Sequence, residues 1–521
     1  MDSALPEQAP NKWLVTLTMM TGTIMAALDT SIVNVALPFM RGNLGASVEE
    51  ITWVTTGYIL SNVIVMPIIG MLSDIFGRKR FYMLSVVFFT LASALCGLAW
   101  DLPSMVFFRV LQGLGGGALI PVSQAVLRET FPPEEQGMAM GIYGLGVVMG
   151  PAFGPTMGGW LTDNFSWPWI FYINVPVGLL NLFLVQRYLQ DPPYLGRQRG
   201  QMDLLGLFLM TVGLGSLQLM LEKGHREDWL ESDLIRLLVV LTVAGLALFT
   251  WRELKTGRPA VNLRLLKNVT FAAGTFLGSC LGVALFASLF LVPMFLQQLM
   301  GYTALDSGLV LMPRSLAMAL AMPVAGRLYN RVGPQPLIVV GMLVSAYSFW
   351  DFGHLSLQVG FWDLLVPQVW QGLGFGMIFV ALSTVALATI PRPHLTAASG
   401  LYNVVRQVAG SVGTAWAATA LTSNTISYRG ELAQHLTPYR WEVWQWLSGV
   451  GSGLAGRGGQ IAQAPAQALR LLEGQLERQA MMLAFNRVFF MFLIMFLACL
   501  PLVLFLRPGK GQAPAADVVA E

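Results

Sequence analysis

The stretch RVLQGLGGGA, residues 109–118, returns 259 residues later as QVWQGLGFGM, residues 368–377, with Gln112 aligned on Gln371. Each copy lies inside an apolar run long enough to cross a bilayer as a helix, for which about 20 residues suffice. Two further pairs keep the same order. GIYGLGVVMGPAFG from Gly141 answers GLYNVVRQVAGSVG from Gly400 at the same spacing, and GMLSDIFGRK from Gly70 answers GRLYNRVGPQ from Gly326 at a spacing of 256. Three colinear pairs at nearly one offset mark an internal duplication, so the chain reads as two related bundles before any single helix is considered.

Composition sets the medium. Of 521 residues, 55% are hydrophobic and only 11% charged, and the mean hydropathy is +0.62. These values exclude a soluble globular chain and indicate a polytopic membrane protein, which the helix-length apolar runs make all-α. The net charge of +3 is too small to imply nucleic acid. Cys96, Cys280 and Cys499 all lie in apolar runs, so there is no disulfide framework and no CxxC metal pattern. The first apolar run lacks a signal-peptidase exit and reads as an uncleaved span.

Apolar runs between charged or Pro/Gly-rich breaks place fourteen spans, near 14–38, 51–70, 81–100, 104–125, 138–160, 169–188, 203–221, 234–252, 270–298, 305–326, 335–354, 361–390, 397–421 and 484–506. An even number puts both termini on one side. Eighteen basic residues, among them Arg78, Lys79, Arg80, Arg197, Arg199, Arg258 and Lys510, fall in the loops of that side, against four in the opposite short loops. The bias assigns the termini to the cytoplasm. The duplication matches spans 2, 4 and 5 with spans 10, 12 and 13. The expected organisation is therefore two parallel six-helix halves, 1–188 and 269–506, with spans 7 and 8 inserted across 189–268, an outer loop at 422–482 and a cytoplasmic tail at 507–521. Two such halves around a cavity are an architecture of secondary transporters.

One residue breaks the apolar pattern of the first span, Asp29 in LDTSIVNVALP, residues 28–38. A carboxylate at mid-membrane costs about 2.5 to 3.5 kcal/mol on insertion scales. At about 100° per residue, Asp29, Thr30, Thr23 and Asn34 share one arc, which turns Asp29 toward protein or water. In span 4, Arg109, Gln112, Gly113 and Gly116 line one face, and Arg109 is the natural counter-charge. A pair of this kind either fixes packing or marks a proton pathway; the rarity of intramembrane charge favours the pathway. Arg314 and Arg406 also lie within spans and need partners, which an anionic substrate or a carboxylate would supply. In span 5, Gly146, Gly150, Gly154 and Gly158 recur every fourth residue around Pro151 and Pro155, a stripe that lets helix backbones touch.

GMLSDIFGRKR, RVLQGLGGG and GVVMGPAFGPTMGG resemble three signature motifs of major facilitator superfamily drug exporters. LDTSIVNVALP, the fourteen spans and GSLQLMLEKGHREDW, residues 215–229, resemble the EmrB-type drug:proton antiporters. The resemblance implies a major facilitator fold and proton-coupled export of hydrophobic drugs across a bacterial inner membrane, without cofactor, metal or enzymatic chemistry. It implies proton coupling at Asp29 and Arg109, and gating at Gly70, Asp74, Gly77, Arg78, Gly150, Pro151 and Gly154. In this scheme Asp74 is an inner latch and the span 5 stripe seals the halves. Asn330 stands where the second half would repeat Asp74, so the latch motif is complete only once. Substrate contacts are expected at Asn34, Tyr58, Gln112, Phe295, Gln297, Asn403 and Arg406. Gln218 is a weaker candidate, because spans 7 and 8 are expected at the periphery. The long outer loop, with Trp441, Trp444 and Trp446 and a helical stripe at Leu469, Leu472, Leu476, Ala480 and Leu483, would dock an EmrA-like membrane fusion protein leading to a TolC-like outer-membrane channel. The chief alternative is proton-coupled uptake of a nutrient. ATP-driven or enzymatic readings lack support: there is no GxxxxGK[ST], GVGSGLAGRGG lacks the phosphate-gripping Lys, and none of the four His sits in an HExxH setting.

Overall fold

The structure, a computed structural model, describes residues 11–192, 203–257, 259–437, 439–456 and 464–507. Arg197, Arg199, Arg258, Lys510 and the tail beyond Arg507 lie outside the described residues. Among the described residues every regular element is helical, and each of the fourteen expected spans is one. In chain order they are α1 (Lys12–Leu44), α2 (Trp53–Val65) running through a 3₁₀ turn into α3 (Ile69–Phe76), α4 (Arg78–Gly97), α5 (Leu102–Thr130), α6 (Gln136–Asn164), the short α7 (Trp169–Tyr172) with α8 (Asn174–Tyr188), α9 (Leu204–Lys223) and α10 (Asp233–Lys255). The second series is α11 (Val269–Met294), α12 (Ala304–Val332), α13 (Pro334–Phe352), α14 (Phe361–Val385), α15 (Leu395–Ala433), α16 (Trp441–Gly456) and α17 (Ala464–Cys499).

Local chemistry sets the ends. The Asn11 side chain accepts from Trp13 N at 3.0 Å to start α1, and Gly45 ends it at φ +62°. Asp101 and Ser104 cap each other at the head of α5. Pro67, which has no N–H to donate, marks the break between α2 and α3. Among the described residues twelve helical spans are long and apolar enough to cross a membrane. The remaining two expected spans are α13 and α15; α15 holds Ser399, Asn403 and Arg406, whose side chains bond to other protein groups.

The duplicated GLGGG/GLGFG motif does the same work twice. In α5 a Cβ at Gly113 would stand 2.5 Å from the Tyr58 carbonyl of α2, and one at Gly115 2.6 Å from the Phe89 amide of α4. Their counterparts Gly372 and Gly374 bring α14 equally close to Arg314 of α12 and Gly341 of α13. In each half the motif helix is thus the post against which two neighbours lean, a role only hydrogen-sized side chains allow where lipid supplies no hydrophobic drive. Helices α1, α2, α4, α5, α6 and α8 pack as one bundle and α11 to α15 with α17 as the other; α6 on α12, and α15 on α3 and α5, join them.

Two expectations change here. α10 packs mainly on α9, at the periphery as expected, but α9 lies in the seam between the bundles, touching α2 and α15. The 422–482 segment is largely helical: α15 and α17 extend beyond the apolar core, tied by Arg429 to Glu473 at 2.8 Å, with α16 between them. Polar composition suggested a loop, yet Ala468, Leu472, Leu476 and Ala480 form an inward stripe one turn apart, leaving Leu469 and Leu483 exposed.

Candidate functional site

Asp29 on α1 and Arg109 on α5 are 0% and 1% exposed and form an ion pair, Nη1 to Oδ2, at 2.7 Å. Two amides complete the carboxylate's shell: Gln112 Nε2 donates to Oδ1 at 2.8 Å and Asn174 Nδ2 at 3.1 Å. The guanidinium donates further to Gln112 Oε1 at 2.8 Å and, through Nε, to the Val54 carbonyl at 2.9 Å. It lies over the Tyr58 ring at 4.3 Å. Asn174 is held in turn by Ser93 Oγ at 3.0 Å. Arg109 and Gln112 reach the same carboxylate because they are one turn apart on α5. A buried charge pair persists only when its remaining groups are bonded, and here both carboxylate oxygens and the guanidinium Nε and Nη1 are. The cluster takes residues from α1, α2, α4, α5 and α8, all in the first bundle.

Tyr58 and Gln112, expected as substrate contacts, therefore belong to this network: Tyr58 is a buried platform under Arg109 and Gln112 a ligand of Asp29. Phe295 is buried edge-on against Phe485 of α17, a helix of its own bundle. Asn34 on α1 and Gln297 at the end of α11 are exposed. Asn403 is buried in that joint, its Nδ2 donating to Gln124 Oε1 of α5 at 2.7 Å. Arg406, one turn on, donates to Asn403 Oδ1 at 3.0 Å and lies over Phe379 at 5.1 Å. Tyr143 of α6 stacks on Phe379 from the other bundle. Arg314 is buried and donates to Gln371 Oε1 at 3.2 Å. Asn174, Ser93 and Gln124 escaped the sequence reading. Asn174 was marked by its place in FYINVPVG, where a lone amide interrupts an apolar run.

The bundles close on each other at the end where α1 begins. Gly70 of α3 abuts Ala397 of α15, a Cβ there falling 2.5 Å from the Ala397 Cβ. Its repeat counterpart Gly326 of α12 abuts Gly137 of α6, backbone on backbone, at 2.5 Å by the same measure. Ser399 Oγ donates to the Pro121 carbonyl at 2.8 Å, and Arg128 Nη1 to the Thr384 carbonyl at 2.8 Å. In the adjoining turn, Gly77 takes φ +83°, and Asp191 accepts from the Lys79 amide at 2.7 Å at the head of α4. Arg78 pairs with Glu129 of α5. Asp74 is exposed and forms no salt bridge among the described residues, although the charges of Arg78 and His394 act on its carboxyl; the direct contacts of this turn are made by Asp191 and Glu129.

The span 5 stripe also differs from expectation. A Cβ at Gly150 would collide with the Ala27 carbonyl, one at Gly154 with Ser31, and one at Gly158 would stand 2.8 Å from the Ile32 carbonyl. Ser31 Oγ donates to the Gly150 carbonyl at 2.7 Å. Pro151 lies beside these contacts, inside α6. The stripe thus bolts α6 to α1, the helix of Asp29, and the seal between bundles falls to Gly137 lower on α6.

Two bundles built from a repeat, closed on each other at one end and carrying a buried ion pair in one of them, define a multi-pass membrane transporter. The chain belongs to the Major Facilitator Superfamily, whose family profile matches residues 19–414. It is 34% identical over 505 residues to the multidrug export protein EmrB of Haemophilus influenzae, covering 96% of each chain. It is 32% identical over 497 residues to the fatty acid resistance protein FarB of Neisseria gonorrhoeae, covering 95% of this chain and 96% of that one. Among solved structures, a double-tryptophan variant of XylE superposes with a TM-score of 0.59 at 13% identity, over 96% of this chain and 97% of that one, a likeness of fold.

Proposed function

We propose that this chain exports hydrophobic drugs or related toxic compounds across a bacterial inner membrane, driven by inward flow of protons, with both termini in the cytoplasm. The observation that carries the reading is the Asp29–Arg109 pair, buried in one bundle with both carboxylate oxygens hydrogen-bonded. A proton on Asp29 removes the charge that holds Arg109 and Gln112, and its loss restores it. Because α1 is bolted to α6 and α6 meets α12 at Gly137 and Gly326, a change at Asp29 reaches the seal through two packed contacts. The closed end carries Arg78, Lys79 and Arg80, which by the positive-inside rule is cytoplasmic, so this conformation faces outward. Gly70, Gly77, Arg78 and the Gly150–Gly154 stretch serve this gate.

The two halves, 1–188 and 269–506, then rock about a central path in alternating access, with 189–268 as an accessory hairpin. Arg406, capped by Phe379 and Tyr402 in the joint between bundles, and exposed Asn34 and Gln297 are the substrate contacts. The names of EmrB and FarB support export of hydrophobic compounds. The helical extension with its exposed, stacked Trp441 and Trp444 serves as the docking surface for an EmrA-like adaptor leading to a TolC-like channel. The test is transport in proteoliposomes under an imposed proton gradient. Wild type accumulates drug uphill in exchange for protons, whereas Asp29→Asn, which keeps shape but fixes the neutral state, does not. Drug transport by Asp29→Asn at the wild-type rate would sink the mechanism.

A further inference from the structure

The segment GSLQLMLEKGHREDW, residues 215–229, forms the end of α9 and the turn after it, and takes no part in the Asp29 network. It bridges the two bundles at the end opposite the seal. Toward the second bundle, Gln218 Nε2 donates to Ser411 Oγ at 3.0 Å and Trp229 Nε1 to Thr419 Oγ1 at 3.0 Å, both on α15. Toward the first, the Lys223 ammonium lies over the Trp53 ring of α2, 4.6 Å from its centroid. The Glu222 side chain rests against Thr56 and Gln218. Trp53 and Thr56 are one turn apart on α2, and Gln218 and Glu222 one turn apart on α9, so the four side chains meet in one seam.

Within that seam Glu222 Oε2 and Gln218 Oε1 are both shut off from solvent, and neither accepts a hydrogen bond among the described residues. Buried acceptors without donors are costly and call for one. No salt bridge closes on the carboxylate among the described residues: Arg226, exposed in the turn, acts on it only through its charge, Lys223 is turned to the indole, and Arg236 of α10 is paired with Asp233 at 2.9 Å. Beside two free acceptors stands an aromatic face that already holds an ammonium. An organic cation bearing N–H bonds satisfies all three at once.

We propose that Glu222, Gln218 and Trp53 form a binding site for the protonated amine of a lipophilic substrate, set in the outer seam between the bundles; the assignment of the amine as a transported substrate rests on the export reading above. The carboxylate and the Gln218 carbonyl take the N–H donors. Lys223 is a tethered occupant of the indole face, which the arriving amine displaces. The site is separate from Arg406, whose positive charge suits the opposite class of ligand.

Equilibrium dialysis of the purified full-length protein against propranolol, a lipophilic amine, and decanoate, its anionic counterpart, tests the site. Glu222→Gln is expected to weaken propranolol binding by about tenfold while leaving decanoate unchanged. Lys223→Ala, which frees the indole, is expected to strengthen propranolol binding by about two- to fivefold. Unchanged propranolol binding in Glu222→Gln, or equal loss of both ligands, overturns the proposal. If Glu222→Gln does not fold, the Lys223→Ala arm decides: a gain supports the site, and no gain overturns it. Failure of the export reading would show separately, as absence of uphill propranolol transport by the wild type, and leaves the binding comparison standing.

Discussion

Replacing Asp29 by Asn, Arg109 by Met, and then both together isolates the energetic coupling at the centre of the first bundle. Each side chain is at most 1% exposed, and the carboxylate accepts from Arg109, Gln112 and Asn174 at 2.7 to 3.1 Å. Removing either charge alone leaves the other buried without its counter-ion, a change that costs about 3 to 5 kcal/mol. Asp29→Asn also turns an N–H toward groups that are themselves donors, so at least one hydrogen bond is lost on that side. With both replaced, no net charge remains to be desolvated, and the residual cost is two or three neutral hydrogen bonds at about 1 kcal/mol each. The double variant is therefore expected to lose about 2 to 3 kcal/mol where the singles sum to about 8, a coupling of about 5 kcal/mol. Unfolding by SDS in mixed micelles, followed by tryptophan fluorescence, measures each free energy. All three variants are expected to fail in proton-driven transport. Losses that add within about 0.5 kcal/mol would refute the reasoning and leave Arg109 anchored by Val54 and Tyr58 alone.

Gly326→Val places side-chain carbon against the Gly137 backbone, which cannot yield; a cysteine at Ser399 is then expected to react with an impermeant maleimide applied from the inner side, while Gly308→Ala, with nothing within 4 Å, leaves it protected. Gly150→Val drives into the Ala27 carbonyl and is expected to displace α1 and abolish proton-coupled transport while membrane insertion, followed by expression and gel filtration, persists. Cys280 and Cys499, with sulfurs 3.3 Å apart, are expected to crosslink under mild oxidation; a protease site placed between α16 and α17 would then yield fragments that separate on a gel only after reduction. Removal of α16, Trp441–Gly456, is expected to leave drug binding intact and abolish crosslinking to an adaptor; unchanged crosslinking and whole-cell resistance would refute docking there.

Much of the fold was legible because membranes impose simple rules: span length, basic asymmetry and a repeat offset located the fourteen spans. The Asp29–Arg109 contact was legible too, since a carboxylate in lipid needs a partner and the motif helix offered one. What stayed hidden were choices that helical phase alone does not make. Tyr58, Gln112 and Phe295 were expected to face a substrate path, but an inward residue faces either a neighbouring helix or a cavity, and in all three cases the structure sets it against a neighbour. Asn174 carried no periodic signal, being a single amide. The outer segment read as a loop because its exposed face is polar, although its Ala and Leu stripe was already helical in spacing. α9 was assigned to the rim by counting helices per half, an argument blind to the gap between halves.

One consequence of the α1–α6 stripe is mechanical. Gly137 and Gly150 are thirteen residues apart on one helix, about 20 Å at 1.5 Å per residue. With Gly150 pinned to the Ala27 carbonyl as a fulcrum, a tilt of about 6° swings Gly137 by about 2 Å, as large as the clearance that separates backbone contact from an opening for water. Pro151 sits next to that pivot. A sub-ångström change around Asp29 is therefore geared up along α6 before it reaches Gly326, and the lever ratio, set by where the glycines fall on the helix, fixes how small a motion at the carboxylate suffices to break the seal.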